Sequence, residues 1–215
     1  MGSITPKSFL DLEGRPIVLR TLDVFVNLGL AQDLVIVTAG GDVEPMRLLV
    51  EAAFGERLKP AIVSGGPVRQ ESVYNGLQAI GSGAGIVVIH DAVRPFVEPR
   101  CVTESIEAAR AHGAAIVACP AVDTIVEAEP DGFLSQTLNR ESLWHVQTPQ
   151  TFRRELIVEA HENARKDGVV ATDDAALVRR MDRPVCIVRG ARSNIKITTP
   201  EDLAFASELV RSSST

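Results

Sequence analysis

Cysteine is scarce in this sequence of 215 residues, which has only Cys101, Cys119 and Cys186. The three are far apart, odd in number and outside any CxxC pair, and the four histidines form no HxxxH pair. Such usage argues against a disulfide framework and against a structural zinc site. We therefore expect a protein of a reducing compartment, the cytoplasm.

An excess of positive charge and long apolar runs are also lacking. Lysine and arginine number 22 against 28 acidic residues, which gives a net charge of −6 and a pI of about 5.3. Binding to a nucleic-acid backbone needs a basic face, and spanning a membrane needs a much longer apolar run. We expect neither nucleic acid nor membrane as a partner, although a few local cations are enough to bind a nucleotide.

Short apolar runs alternate with stretches of helical periodicity along most of the chain. This alternation predicts an α/β fold, a Rossmann-like, mostly parallel sheet with helices on both faces. The predicted strands are residues 34–38, 61–63, 86–90, 115–119, 185–188 and 195–198. The predicted helices are residues 16–28, 43–54, 68–80, 99–112, 153–166 and 172–181, with one more from Thr199-Pro200. We find no internal repeat or linker and expect a single domain over residues 1–215.

The segment at about residues 121–142 interrupts this alternation. Two β-prone runs, at residues 124–127 and 133–138, flank Glu129-Pro130-Asp131-Gly132, and Asp-Gly between such runs is a hairpin signal. A hairpin inserted here does not join a parallel sheet easily, so we interpret it as a protruding β-arm. The arm either packs on a second copy of the chain or folds back on its own domain, and the sequence favours neither.

The best candidate site follows the predicted strand 86–90, in the run His90-Asp91-Ala92-Val93-Arg94-Pro95. Ligands of an open parallel sheet bind at the carboxyl ends of its strands. Asp91 at this end can hold a divalent metal, and Arg94 can hold a phosphate beside it. The alternative is a strand-end turn with a local ion pair, and the strand-end position favours the ligand site. His90 is interpreted as a packing or hydrogen-bonding residue.

Two lysines and a glycine pair are weaker candidates. Lys7 follows a proline in a short polar stretch, where a lone lysine is usually solvated. Lys196 lies between isoleucines and can reach the carboxyl edge of the sheet, although snorkelling to solvent is the ordinary explanation. Gly65 and Gly66 offer bare backbone before a helix, which favours anions, but Gly-Gly-Pro is also an ordinary turn.

Two further runs have competing structural explanations. Thr172-Asp173-Asp174 could form a metal pair, but acidic residues in the first turn of a helix are the simpler interpretation. In the run from Arg140 to Gln150, Arg140 and Thr148 could contact an anionic substrate, while Trp144 could anchor the return of the arm to the core. Contact of Arg140 and Thr148 with substrate is compatible with anchoring of the arm by Trp144.

Seven motifs occur in one order and together carry a resemblance to a known family. They are Pro6-Lys7-Ser8-Phe9-Leu10, Gly14-Arg15-Pro16, residues 65–72, 90–95 and 143–150, Thr172-Asp173-Asp174-Ala175 and Asn194-Ile195-Lys196-Ile197-Thr198. Nearly the whole chain, from Pro6 to about Leu209, resembles the 2-C-methyl-D-erythritol 4-phosphate cytidylyltransferases of the non-mevalonate pathway of isoprenoid synthesis.

The resemblance implies a nucleotide-diphosphosugar-transferase-like fold and an enzyme that moves a cytidylyl group from CTP to a polyol phosphate, 2-C-methyl-D-erythritol 4-phosphate, with release of pyrophosphate. It implies Mg²⁺ held by Asp91, and a homodimer whose β-arms reach across to the partner's site. Lys7 and Lys196 would neutralise charge on the triphosphate and the transition state. Such a transfer depends on positioning and cations and requires no nucleophilic side chain.

The resemblance also assigns the remaining site residues. Nucleotide binding is implied for Gly65, Gly66, Ser72 and Ala92. Binding of the acceptor phosphate is implied for Arg94, Thr124, Arg140 and Thr148, with Thr124 and Arg140 supplied by the partner's arm.

The family's first strand and its Ala-Ala-Gly-x-Gly-x-Arg loop, which cradles the triphosphate, would precede Pro6-Lys7, and Met1-Gly2 resembles only the end of that loop. The resemblance places this strand between the predicted strands 34–38 and 86–90. We therefore expect residues 1–215 by themselves to be poorly soluble or partly unfolded and nearly inactive. Whether the sequence is part of a longer protein or a shortened natural form stays open.

Two other functions compete with the resemblance. One is a sister cytidylyltransferase for ribitol or another polyol phosphate, against which the runs Val93-Arg94-Pro95-Phe96 and Thr172-Asp173-Asp174-Ala175 argue. The other is a non-catalytic binding or regulatory homologue. Five retained charged residues argue against it: Lys7, Asp91, Arg94, Arg140 and Lys196. A dehydrogenase is not expected, because no GxGxxG follows a strand.

Overall fold

The computed structural model describes residues 6–30, 33–81 and 83–212, and strands alternate with helices over most of this part of the chain. Its strands are β1 (Asp11–Leu12), β2 (Arg15–Pro16), β3 (Val35–Thr38), β4 (Ala61–Ser64), β5 (Ile86–Ile89), β6 (Ala114–Pro120), β7 (Val126–Ala128), β8 (Leu134–Thr137), β9 (Trp144–Arg153) and β10 (Cys186–Arg189). Its helices are α1 (Ile17–Asn27), α2 (Val43–Phe54), α3 (Arg69–Ala79), α4 (Pro99–His112), α5 (Arg154–Lys166), α6 (Asp174–Arg180) and α7 (Pro200–Ser212). Among these residues no helix is long and apolar enough to cross a membrane.

The larger sheet is mixed, with both parallel and antiparallel pairs of strands. One sheet has the order β10-β6-β9-β5, and β3 and β4 form a separate parallel pair. In the larger sheet β10 and β6 are parallel, whereas β9 runs antiparallel to both β6 and β5. Three of its four strands therefore point in one direction, which agrees with the predicted fold class.

Helices cover both faces of the larger sheet, as the alternation along β6 shows. Ala114 and Ile116 pack in one apolar cluster with Phe152, Ile157 and Val178, which belong to β9, α5 and α6. The residues between and after them on β6 pack in a second cluster with side chains of α1 and α4. Successive side chains of a strand point to opposite faces, so β6 is buried on both sides.

The strand β9 was not predicted. It has ten residues and pairs with β6 on one side and β5 on the other, where the sequence indicated only an anchor for the arm. Four of its polar side chains are buried: Gln147, Thr148, Gln150 and Thr151. Apolar periodicity is the main sequence signal of a strand, and polar residues at buried positions remove it.

The strand predicted at residues 195–198 is wrong. These residues run beside the loop that follows β5 without joining a sheet. The N–H of Ile197 donates to the carbonyl oxygen of Val93 at 3.0 Å. One backbone bond to a loop fixes the position of this segment but forms no ladder.

The arm has the predicted hairpin. β7 and β8 pair with each other and stay outside the larger sheet. Every residue of both strands is exposed, including Leu134 at 64%, and the adjoining Phe133 is 72% exposed. The hairpin therefore does not fold back on its own domain, and apolar side chains are left uncovered on it.

A cavity of about 760 Å³ lies between β3 and β5, with α1 and α3 as further walls. Consecutive residues of each strand line it, at positions 35–37 and 86–89. Because consecutive side chains point to opposite faces, it is the edge of each strand that faces the cavity. Among the described residues β3 pairs only with β4 and β5 only with β9, so these edges have no ladder partner.

We predict that an added strand fills this cavity and stabilises the protein. Each buried backbone group without a partner costs about 1–3 kcal/mol, against a total stability of about 5–15 kcal/mol. The added segment would have about 20 residues fused before Met1, with an apolar strand of about 5–6 residues and an Ala-Ala-Gly-x-Gly-type loop. This fusion, termed the extended chain, is expected to be more soluble and to melt at a higher temperature.

Thermal unfolding followed by circular dichroism, with size-exclusion chromatography, tests this prediction on residues 1–215 and on the extended chain. The control is an extended chain whose added strand has proline at alternate positions. Proline has no N–H to donate to a neighbouring strand, so this control is expected to melt like residues 1–215. A cooperative melt of residues 1–215 that the extension leaves unchanged would contradict the prediction.

Candidate active site

The carboxylate of Asp91 lies among three cationic side chains. Asp91 follows β5 by two residues, and its side chain is only 15% exposed. Lys196 Nζ is 3.0 Å from Oδ2, Arg94 Nε is 3.4 Å from the same oxygen, and Arg69 Nε is 3.7 Å from Oδ1. Asp91, Arg94 and Lys196 therefore meet at one end of the sheet, where the sequence placed the candidate site.

Opposing effects set the pKa of Asp91. Burial raises the pKa of this carboxyl group, but the charges of Lys196, Arg69 and Arg94 outweigh burial and hold the pKa below its ordinary value. Burial also lowers the pKa of Arg94, and the charge of Asp91 opposes that shift. Asp91 is therefore held as a carboxylate, with more positive than negative charge around it.

A chain of hydrogen bonds fixes the loop that carries Asp91. The Asp91 N–H donates to Thr148 Oγ1 on β9 at 3.1 Å, and this hydroxyl lies 3.0 Å from Nδ1 of His90. Nε2 of His90 lies 3.0 Å from the carbonyl oxygen of Arg94, which can only accept. His90 thus carries its proton on Nε2, and the Thr148 hydroxyl donates to Nδ1. His90 is a hydrogen-bonding residue, as interpreted from the sequence.

Asn194 ties the Lys196 segment to the same loop. Its side-chain Nδ2 donates to the backbone carbonyl oxygen of Thr148 at 2.9 Å, and its backbone carbonyl oxygen accepts from Arg94 Nη1 at 2.7 Å. Lys196 is two residues further along. These bonds therefore hold the ammonium group of Lys196 near Asp91, although the segment that carries Lys196 is not part of a sheet.

The glycine pair forms a turn against the start of α3. The Gly66 N–H donates to Ser72 Oγ at 3.1 Å, and a β carbon added at Gly65 would lie 2.7 Å from the same oxygen. A side chain at Gly65 would therefore have to displace the Ser72 hydroxyl from its place in this turn. Ser72 lines the same cavity as Asp91 and Ala92, so the nucleotide-binding residues expected from the resemblance lie near the acidic loop.

Arg69 and Asp174 were not among the predicted site residues. Arg69 Nη1 donates to Asp174 Oδ2 at 2.7 Å, while its Nε faces Asp91. The Asp174 side chain is 1% exposed, and its Oδ1 lies 3.1 Å from Nε2 of the fully buried His161. Burial lowers the pKa of Arg69. The negative charges of Asp174 and Asp91 outweigh burial, so the pKa of Arg69 is raised above its ordinary value.

The two acidic residues at the start of α6 have different roles. Asp173 caps the helix by accepting from the Ala176 N–H at 2.8 Å, which agrees with the interpretation of this run as first-turn acids. Asp174 instead points inward, toward Arg69. Arg69 and Asp174 are 105 residues apart in sequence, so the only signal available there was the acidic pair itself.

Comparison with known proteins decides the family. The family model described as "IspD: 2-C-methyl-D-erythritol 4-phosphate cytidylyltransferase" matches residues 1–212. The protein of that name from Pelotomaculum thermopropionicum is 46% identical over 211 residues, which are 98% of this chain and 89% of the relative. The chain belongs to the 2-C-methyl-D-erythritol 4-phosphate cytidylyltransferase family.

Solved structures of this cytidylyltransferase family agree. The crystal structure of 2-C-methyl-D-erythritol 4-phosphate cytidylyltransferase from Thermus thermophilus is 36% identical with a TM-score of 0.82, covering 96% of this chain and 94% of that one. The 4-diphosphocytidyl-2C-methyl-D-erythritol synthase of Anaerococcus prevotii is 30% identical with a TM-score of 0.86, covering 94% and 88%. The resemblance carried by the seven motifs is confirmed, and so is the fold class.

Among the described residues, three that the cytidylyltransferase resemblance assigns to the site make no ion pair or hydrogen bond with Asp91 or the cations around it. Lys7 is exposed at the start of a short 3-10 turn. Thr124 is exposed near the base of the arm, and Arg140 Nη1 donates to the carbonyl oxygen of Val122 at 2.7 Å. Their roles stay predictions, as does contact of Thr148 with substrate, because its hydroxyl is engaged by the Asp91 loop.

Asp91 is the carboxylate of this site that could ligate a metal of a cytidylyltransferase. Among the described residues no group of three His, Cys, Asp or Glu side chains could hold a metal ion. Mg²⁺ is commonly bound through one or two carboxylates together with substrate phosphates. Asp91 fits binding of Mg²⁺ through a carboxylate together with substrate phosphates. The role of Mg²⁺ stays a prediction.

We predict that His90 makes the folded protein less stable at mildly acidic pH. Burial lowers its pKa from 6.5 to about 4, against the opposing hydrogen bond to the Arg94 carbonyl. The unfolded chain therefore takes up a proton between pH 6.5 and 4 that the folded chain does not, and stability falls as pH decreases through this window. The loss from this one group is on the order of 3 kcal/mol.

Urea unfolding at several pH values, in buffer without divalent metal, measures this loss. His90→Gln cannot titrate, and its amide can still donate to the Arg94 carbonyl, so its stability should depend less on pH between 6.5 and 4. His112→Gln is the control for removal of an exposed histidine. Equal slopes for the wild type and His90→Gln would show that His90 is not the group responsible.

Proposed function

We propose that this protein transfers a cytidylyl group from CTP to 2-C-methyl-D-erythritol 4-phosphate, in the non-mevalonate synthesis of isoprenoid precursors. The products are the CDP-methylerythritol and pyrophosphate. Membership of the cytidylyltransferase family supports the reaction. The observation that carries it is the carboxylate of Asp91 surrounded by Lys196, Arg94 and Arg69 at a strand end.

The reaction joins two anions, so its main requirement is positive charge. An oxygen of the acceptor phosphate attacks the α-phosphorus of CTP, a new P–O bond forms, and the bond to the β-phosphate breaks to release pyrophosphate. The Arg94 guanidinium group donates to the Asn194 carbonyl oxygen, and the Lys196 ammonium group is paired with Asp91. Both cations are therefore in place to neutralise charge that develops in the transition state. Lys7 is proposed as a further cation.

Asp91 is the proposed ligand of Mg²⁺, which would enter with the CTP phosphates and supply charge neutralisation and orientation. The hydrogen bond from the Asp91 N–H to Thr148 fixes the loop for that role. Release of one carboxylate oxygen by Lys196 or Arg94 would make room for the ion.

Nucleotide and acceptor are assigned to opposite sides of Asp91. The turn at Gly65 and Gly66, with Ser72, offers backbone groups and a hydroxyl for the cytosine and ribose, and Ala92 lines the cavity beside Asp91. Arg94, Arg140, Thr124 and Thr148 are proposed to serve the acceptor phosphate.

The functional unit is proposed to be a homodimer joined through the arm. Apolar side chains of the arm and its base are exposed in the single chain: Val122, Val126, Phe133, Leu134, Trp144 and Val146. These side chains belong to one segment of the chain, and apolar side chains exposed together favour an interaction site. In the dimer Thr124 and Arg140 would reach the partner's Asp91 cluster, which fits the lack of a contact between these two residues and Asp91 among the described residues of one chain. The three free cysteines support a cytoplasmic location.

Two observations weigh on the competing functions. The relatives reported above are named for 2-C-methyl-D-erythritol 4-phosphate, which favours this acceptor over ribitol phosphate. The three cations paired with Asp91 favour an active enzyme over a non-catalytic homologue. A homologue that no longer binds the triphosphate would not require these cations.

Asp91→Asn is expected to lower kcat by about 10²–10³-fold, the typical effect of removing one preorganised electrostatic group. Pyrophosphate release by the extended chain with CTP, Mg²⁺ and the acceptor is the measurement. Asp182→Asn, an exposed residue with φ of 57° that asparagine tolerates, is the control. Calorimetry with CTP plus Mg²⁺ accompanies the assay, and wild-type turnover by Asp91→Asn would refute the assignment.

Arg140→Ala is expected to raise the KM for 2-C-methyl-D-erythritol 4-phosphate far more than the KM for CTP, because the acceptor phosphate loses a cation. Gln136→Ala, which changes the arm without touching the proposed site, is the control. A mixed dimer of Arg140→Ala and Asp91→Asn subunits should recover part of the activity, since one of its two composite sites is intact. No recovery in a verified mixed dimer would assign arm and Asp91 to the same subunit.

A further inference from the structure

Arg69 connects two carboxylates of different accessibility. It donates to the buried Asp174 at 2.7 Å, within hydrogen-bond distance, but lies 3.7 Å from the more exposed Asp91. Arg69 is the first residue of α3 and lines the cavity beside Asp91. It is therefore fixed on its Asp174 side and only loosely engaged on its Asp91 side.

Asp174 is itself held from two directions. Its Oδ1 accepts from Nε2 of His161, and its backbone N–H donates to Gln150 Oε1 at 3.2 Å. Both His161 and Gln150 are buried, and Nδ1 of His161 has no hydrogen-bond partner among the described residues. The ring therefore makes one polar contact there, the bond to Asp174, so the polar function of this histidine is to orient that carboxylate.

A buried ion pair is weak evidence for stability, because desolvation cancels much of the attraction. Arg69 has five N–H donors, and the bond to Asp174 uses Nη1 alone. Its Nε lies 3.7 Å from Asp91 Oδ1, and Arg69 lines the cavity beside Asp91. The pair with Asp174 therefore fixes the guanidinium group in a direction that serves a ligand.

We propose that Asp174 and His161 are positioning residues that hold Arg69 toward the phosphates of CTP beside Asp91. This inference rests on the proposed cytidylyl transfer and adds a third cation to its nucleotide side. Asp174 acts through Arg69, and His161 acts through Asp174. Neither residue touches the substrate.

The test measures the Kd for CTP with Mg²⁺ by calorimetry and the KM for CTP and for the acceptor separately, in the extended chain. Asp174→Asn keeps the shape of the side chain and removes the charge. We expect it to weaken CTP binding by about 10–100-fold, the range typical of residues that orient a ligand-binding group. The KM for the acceptor should change little, which a general loss of folding would not produce.

The histidine allows a pair of variants that separates positioning from packing. His161→Gln has an amide N–H that can replace Nε2 and is expected to keep most of the affinity for CTP, whereas His161→Leu is expected to lose it. Asp167→Asn, in the exposed pair with Arg180 at 2.8 Å, is the matched control for loss of an Asp–Arg pair. It should leave both KM values unchanged.

A double-variant measurement completes the test. If Asp174 acts through Arg69, adding Asp174→Asn to Arg69→Gln should produce no further loss of CTP affinity. Additive losses, or variants that lower the melting temperature with an unchanged KM for CTP, would overturn the inference and leave the proposed function intact. The wild type could also bind CTP without turning it over, while the variants lose CTP binding. That result would support the inference and refute the function. A wild type that does not bind CTP would overturn both.

Discussion

The buried polar side chains of β9 are the constraint on which the site depends. The Thr148 hydroxyl accepts from the Asp91 N–H and donates to His90, and the Thr148 carbonyl accepts from Asn194. Two residues further along, Gln150 Oε1 accepts from the N–H groups of Asp174 and Ala175 at the start of α6. A buried polar group without a partner is costly, so each of these bonds restricts where its partner can lie. One antiparallel strand thereby fixes the Asp91 loop, the Lys196 segment and the inward-facing Asp174.

The charges around Asp91 favour an anionic ligand. Asp91 itself faces three cations, Lys196, Arg94 and Arg69, and Arg69 is shared with Asp174 and Asp173 at the start of α6. Burying these charges costs desolvation energy that their mutual attraction recovers only in part. Groups with perturbed pKa values gather at functional sites. A triphosphate would place negative charge beside these cations at the strand ends, where a sheet of this class binds its ligands.

Local patterns in the sequence predicted most elements and the position of Asp91 at the end of a strand. The helices and the apolar strands follow from periodicity, the arm follows from Asp131-Gly132 between β-prone runs, and Asp91 follows from its place after a buried strand. The strand β9 could not be found this way, because its buried positions carry polar residues whose partners lie elsewhere in the fold. Arg69 and Asp174 were missed for the same reason, since a pair separated by 105 residues leaves no local pattern.

The apolar cavity and the charged site are parts of one space. Ser72, Arg69, Asp91 and Ala92 line one region of the cavity whose remaining walls are the edges of β3 and β5 and the side chains of α1 and α3. An extended segment that paired with both edges would end next to the Asp91 cations if it ran parallel to β5. Its last backbone N–H groups, beyond the ladder, would then be free to bind phosphate oxygens. Strand pairing and triphosphate binding would be coupled, because the same segment that satisfies the two edges would place those donors.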